Sequence, residues 1–240
     1  MTNTTLKKKL KHIFLIDKYQ SLHNKRRDKR LKAIRQQYFP QLIELVSSKT
    51  SVITNNCFAG LIMQDLNMEY NSPTLGLYFM FPDYIEFLQH LEFYLKEAKI
   101  VFLEQSRCDL ANQRRQQSKA WYPIGLLGGK VEIQFLHYHS EDEASEKWYR
   151  RAARVNMDDL VVIGMDQNLC SIHDIEMFDK MPYERKLFFS THNLPQLKSN
   201  VYVQEFSDMG QVGDPYRQGH IFYKYLCQHM KTKQNYDSFK

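Results

Sequence analysis

The sequence predicts an α/β protein, with a mostly parallel sheet flanked by helices and a basic helical N-terminal arm ahead of it. Three observations lead there. Short apolar or β-branched runs at Ser51–Thr54, Lys99–Leu103, Val131–Leu136, Asp159–Met165, Lys186–Phe189 and Val201–Val203 alternate with stretches of helical period. Each run stops abruptly at polar residues. Charge is also uneven: the chain is +6 overall, but thirteen Lys and Arg oppose three Asp and Glu in residues 1–50, which leaves the other 190 residues net acidic by four. The expected division is a basic helical arm over 1–48 and a single α/β domain over 49–240.

Length and composition allow a full core: 240 residues with 43% apolar and 25% charged content are ordinary for a globular chain. Cys57, Cys108, Cys170 and Cys227 are far apart and form no CxxC. That pattern predicts reduced thiols in a cytosolic compartment, not a disulfide framework or a zinc site. No apolar run reaches the ~18 residues of a spanning helix, and the first residues lack a signal peptide's apolar core and cleavage site. A cytoplasmic location is expected.

The elements follow in order. Residues 5–39 lack Gly and Pro and read as helix, which Pro40 ends or kinks. Two readings of this arm stay open: a solvated helix packed along one edge, or a helix lying on an anionic membrane surface. Nucleic acid is not expected, because aromatic platforms are not interleaved with the charge. Ser51 to Gly60 then reads as strand, tight turn and helix, with Asn55 and Asn56 suited to the turn and Ala59 and Gly60 letting the helix approach the sheet closely. Tyr70 to Thr74 is a turn, and Leu75 to Phe81 a short strand or buried loop. Pro82 and Asp83 open one helix carrying Tyr84, Phe87, Leu88, Leu91, Tyr94, Leu95 and Ala98 on its apolar face.

Lys99–Leu103 reads as a buried strand; the polar run Gln105 to Ala120 has no readable placement. Trp121–Gly125 and the Gly128–Gly129 pair bracket a turn leading into the strand at Val131. Ser140 and Glu143 form a capping box, and the acidic start and basic finish of the helix they open suit its dipole. Ser171 caps another helix that Pro182 closes, and Gln218 to Met230 is a closing helix.

Ligands of parallel sheets bind outside the carboxyl ends of the strands. The residues standing there are Asn55, Asn56, Cys57, Glu104, His137, His139, Asp166 and Ser190 to His192. The substrate-binding candidates are Asn55, Asn56, Asn71, Ser72 and Tyr122; the catalytic candidates are His137 as general base, Asp166 as an orienting carboxylate, and Cys57. Cys57 at a helix start could be an activated nucleophile, but a small buried residue packing the turn is the favoured reading. His137 and His139 lack a third ligand at a telling spacing, so no metal is expected. No GxGxxG, GxxxxGK[ST], DxD or GxSxG is present, and no cofactor is indicated.

Four ordered motifs, Thr54–Gly60, Tyr70–Thr74, Phe81–Tyr84 and Tyr122–Gly125, continue through Phe135–Tyr138, Glu146–Arg151, Phe178–Asp179 and Val212–Asp214. Together, over roughly residues 50 to 220, they resemble the bacterial domain of unknown function number nineteen-nineteen, whose members are often labelled exopolysaccharide biosynthesis proteins. The family often has Gly where this chain has Ala59. The resemblance implies an α/β protein linked to surface-saccharide assembly and brings no catalytic residues with it.

The function expected is therefore a transferase using an activated sugar or polyol-phosphate donor in capsule, exopolysaccharide or lipopolysaccharide biosynthesis, with an activated sugar or glycan as its partner. Its place is the cytoplasm, with a peripheral position at the inner face of the membrane as a further expectation. The alternatives are a Cys57-dependent acyl transferase or hydrolase, and a non-catalytic component that binds glycan or a partner protein.

Overall fold

The computed structural model describes residues 26–230. The chain divides into two compact units at Gln37 and Tyr38. In the first, residues 26–36 are helical; residues 1–25 of the basic arm, with Lys7 to Lys25, lie outside the described residues. Helix α1, Phe39–Leu45, opens the second unit with proline in its first turn. Pro40 thus lies in the first turn of a helix, as its fixed φ suits, and the preceding helical stretch stops at Gln36, four residues before it. Because α1 buries Leu42 and Leu45 in the core, the domain begins some ten residues before the expected boundary at 48.

The remaining elements are β1 Ser51–Thr54, α2 Phe58–Asp65, α3 Phe81–Gln89, α4 Leu91–Lys96, β2 Ile100–Leu103, α5 Asp109–Ser118, β3 Ile124–Leu127, β4 Val131–Gln134, α6 Glu141–Ala152, β5 Leu160–Met165, α7 Ile172–Lys180, β6 Arg185–Ser190, β7 Asn200–Tyr202 and α8 Gly219–His229. The four strands β1, β5, β6 and β7 form a parallel sheet in the order β1-β5-β6-β7. Their side chains alternate between two cores, as the period of a strand requires. Val52, Val161, Ile163, Leu187 and Phe189 pack with α1, α2 and α8 through Phe58, Leu61 and Phe222. Ile53, Val162 and Phe188 pack on the other face with α3, α6 and α7 through Tyr84, Phe87, Trp148 and Phe178. Tyr84 is fully buried, and its hydroxyl donates to the Ile163 carbonyl at 2.9 Å, with the Ile53 carbonyl at 3.2 Å.

Two strands expected in the parallel sheet leave it. β2 and β4 join β3 in a separate antiparallel sheet of order β2-β3-β4. The cause is the Gly128–Gly129 pair, with φ of +59 and +73, which turns β3 straight back into β4. The residues expected to lead through a turn are therefore partly the strand β3. As an edge strand, β2 is not buried: Val101 is 60% exposed. The expected long helix after Pro82 breaks at His90, whose φ of −128 and ψ of 36 separate α3 from α4. The unplaced polar run holds α5, which buries only Ala111 and so offered no apolar stripe to read. Helix α6 is capped as expected, Ser140 accepting from the Glu143 N–H, but the Glu143 carboxylate accepts from the His139 N–H.

Candidate functional site

The carboxyl ends of β1 and β5 lie side by side, and a cleft of about 1070 Å³ opens there. Asn56 ties the two ends together. Its Oδ1 accepts from the Phe58 N–H at 3.0 Å, which satisfies an orphan donor at the start of α2. Its Nδ2 donates to Gln167 Oε1 at 2.8 Å, and Gln167 Nε2 donates onward to the carbonyls of Val212 and Gly213 at 2.9 and 2.8 Å. This brings the segment Gln211 to Tyr216, with Asp214, to the cleft wall.

The floor is the segment after Thr74, which bends at Leu75 and Gly76. Gly76 adopts φ +72, a left-handed conformation that favours glycine, beside His137 and the Tyr138 ring. Gly60 serves the same side of the molecule. A Cβ on it would meet the Tyr216 hydroxyl at 3.3 Å and Leu75 at 3.7 Å, which corrects the expectation that it faces the sheet. One wall is α5 with Arg114 and Gln117, next to the Tyr78 and Tyr122 hydroxyls, which lie 3.0 Å apart. The lining also includes His137 and Tyr138 with Lys147 and Arg151 of α6. Asn168 and Leu169 follow β5 with φ of +57 and +69. A left-handed leucine costs about 1–2 kcal/mol, a cost that clusters at functional sites. The strained pair lets Asn168 accept from Arg114 Nη1 at 2.6 Å and donate to the Phe79 carbonyl at 3.2 Å.

The structure brings four of the eight candidate residues into this cleft: Asn56, Cys57, Tyr122 and His137. The other four serve the framework. Asn55 is fully buried; its amide accepts from Met165 N–H and donates to Met165 C=O at 3.0 and 3.1 Å, continuing the β1–β5 ladder by a side chain. Asn71 is turned inward and donates to the Thr50 carbonyl at 3.0 Å. Ser72, also fully buried, is bonded to Thr74 at 3.1 Å. Asp166 lies under the cleft edge, with its carboxylate accepting from Thr191 N–H, Thr191 Oγ1 and Val212 N–H at 2.6, 2.8 and 2.7 Å. Its oxygens are thereby committed to fixing two loops, not to a ligand.

Burial pushes the Cys57 thiol up to about 12, and the nearby Asp214 charge adds to the shift. The Sγ points at the Leu77 carbonyl, 3.6 Å away. A thiol so placed packs the turn, since the dipole of the following helix is outweighed by desolvation. His137 is shifted down by burial, with the Asp214 charge opposing, so it is neutral near pH 7 and able to accept a proton. Among the described residues no three His, Cys, Asp or Glu side chains converge as a metal site would.

Five contributors escaped the sequence reading. Arg114 and Gln117 sit in the unplaced polar run; Gln167 and Asn168 follow an aspartate that drew the attention; Asp214 looked like a turn residue. Arg151 carried a legible signal. It falls three residues after Trp148 and seven after Ala144, on the buried stripe of α6, where a charge needs a reason.

Fold and cleft together define a parallel-sheet α/β protein with a cationic, tyrosine-lined cleft at the sheet's carboxyl edge. The chain belongs to the family described as Domain of unknown function (DUF1919), which residues 28–234 match. It is also similar to a Haemophilus influenzae protein described as "Uncharacterized protein", with 34% identity over 171 residues, covering 71% of this chain and 76% of the relative. Neither description names a ligand, so the chemistry of the cleft is read from its side chains.

Proposed function

We propose that this protein is a transferase that binds an activated sugar or polyol phosphate in the cleft and acts in surface-polysaccharide assembly. The observation that carries this reading is the wall chemistry. Arg114 and Arg151, with Lys147 paired to Glu143, line the cleft with a single lining carboxylate, Asp214, among amides and tyrosines. Guanidinium and ammonium groups bind phosphate, amides bond hydroxyls, and aromatic rings pack against sugar faces. His137 is the general base that takes a proton from the acceptor hydroxyl as the bond to the donor forms. The link to polysaccharide assembly comes from the ordered motifs of the sequence, not from the cleft.

In this reading the protein works in the cytoplasm against the inner face of the membrane, and the basic arm supplies a salt-sensitive contact with anionic lipid. Among the described residues no helix is long and apolar enough to cross a membrane, which accords with surface attachment. Cys57 does not favour acyl transfer, because its thiol is buried and protonated. The test is turnover: the full chain is incubated with nucleotide sugars and cytidine-linked polyol phosphates plus glycan acceptors, and released nucleotide is measured. Release that depends on His137 supports the reading. Tight binding with no release from any donor would make the protein a carrier or sensor.

A further inference from the structure

We propose that the cleft binds two separate anionic groups at once, one at Arg151 and one at Arg114. The inference rests on the reading of the cleft as a site for activated saccharides and adds the charge pattern of what it holds. Arg151 is only 8% exposed. Its neighbours on α6 are neutralised: Lys147 pairs with Glu143 at 2.5 Å and Arg150 with Glu146 at 2.8 Å, while Arg154, just past the helix, pairs with Glu69 at 2.8 Å. Arg151, the buried one, pairs with no carboxylate among the described residues.

Arg151 is instead held in a fixed pose. Nη1 donates to the Tyr138 hydroxyl at 2.6 Å and lies 3.5 Å from the Leu75 carbonyl, and the guanidinium sits over the Tyr70 ring at 5.2 Å. Tyr138 in turn donates to the Leu75 carbonyl at 2.6 Å, so the hydroxyl's orientation is set. These bonds all leave from Nη1, so the Nε and Nη2 fork is not used by the described residues. A desolvated, oriented guanidinium with an unused fork is the arrangement that receives a phosphate or carboxylate.

Arg114, on α5, repeats the pattern. It is held by Asn168 at 2.6 Å, its charge adjoins the Tyr78 hydroxyl, and it too has no carboxylate partner among the described residues. The two arginines stand on different helices, α5 and α6, and are held at different points of the floor. Arg151 is tethered at the Leu75 carbonyl and Arg114, through Asn168, at the Phe79 carbonyl. The cleft therefore fits two anionic groups on one molecule, or an anionic donor beside an anionic acceptor.

The test titrates inorganic phosphate into the full chain and follows the arginine side-chain N–H signals by NMR, assigned with Arg114→Gln and Arg151→Gln. Both signals should move, and in each variant the remaining arginine should respond to phosphate with the same midpoint as in the native chain. Should Arg151→Gln fail to fold, Arg151→Lys, which keeps the charge but loses the fork, should leave the Arg114 response unchanged, and the ammonium signal of the introduced lysine should move only at higher phosphate. A hexitol 1,6-bisphosphate binding about tenfold or more tighter than phosphate assigns both groups to one molecule, whereas equal affinity with both arginines responding assigns them to two. Phosphate that moves only one arginine, or neither, overturns the proposal. Response at both arginines without sugar transfer would sink the transferase reading and leave the two anion positions standing. Transfer to an uncharged acceptor with a silent Arg151 would do the reverse.

Discussion

Asn56 Nδ2 donates to Gln167 Oε1 at 2.8 Å, joining the chain just after β1 to the chain just after β5. Two strands that pair side by side are thus locked at the edge where the ligand enters, and the same glutamine holds the loop that carries Asp214. Asn56→Ala removes a helix-start acceptor and this bridge. It should cost about 1–2 kcal/mol of stability and weaken ligand binding in a folded protein. Gln167→Ala should cost a similar amount. Chemical denaturation of both singles and the double variant should show a coupling of about 0.5 kcal/mol or more; strict additivity would mean the bridge contributes nothing.

Cys57 provides a direct contrast between packing and chemistry. With its thiol raised to about 12, the thiolate fraction is negligible at pH 8 and grows only as pH approaches that value. Peptide-level mass spectrometry after brief iodoacetamide treatment should show Cys57 unlabelled in folded protein and labelled after denaturation. Cys57→Ser should stay active. Rapid labelling of native Cys57, or a trapped covalent intermediate on it, would restore the acyl-transfer alternative.

His137 must be neutral to act as a base, and its pKa lies below the ordinary imidazole value of 6.5. The rate should therefore be flat around pH 7 and fall as pH drops through a value under 6.5. His137→Gln should lower kcat by 10²-fold or so with little change in KM. A pH profile unchanged in His137→Gln would remove the base from this position.

Asp166 is expected to show in stability, not in chemistry. Asparagine offers one acceptor oxygen where the carboxylate serves three donors, so Asp166→Asn should destabilise by about 1–3 kcal/mol and leave the kcat of the folded fraction near that of the native chain. Burial raises the carboxyl above its ordinary 3.8, opposed by the bonds from Thr191 and Val212. The folded state therefore holds this proton more tightly than the unfolded one. Its contribution declines as pH rises from 3.8 through the raised value, and the variant should lose that part of the pH dependence. Loss of kcat without loss of stability would return Asp166 to the catalytic list.

How much of this was legible follows from what each residue does. β1, its turn and α2 were readable because a β-branched run, two amides and an apolar helix face agree locally. The seam at Asn56, Cys57 and His137 was readable because strand ends gather at one edge, and His137 arrives there even though β4 belongs to the other sheet. Asn71 and Ser72 misled because turn amides and hydroxyls serve the backbone as readily as a ligand, and only the fold says which way they point. Arg114 could not be placed because α5 buries almost nothing, so its helix has no apolar period. The second sheet was hidden in a glycine pair whose reversal reads, in sequence, as a turn ahead of a strand.

The most direct measurement is calorimetric titration of nucleotide sugars, polyol phosphates and their unphosphorylated counterparts into the full chain and into Arg114→Gln and Asn56→Ala. The account predicts saturable binding of at least one phosphorylated member, no detectable binding of its neutral counterpart, and about tenfold or greater weakening in Arg114→Gln, one charge-assisted contact's worth. Equal affinity for phosphorylated and neutral saccharides, or affinity untouched by both substitutions, would contradict a cleft built for activated sugars.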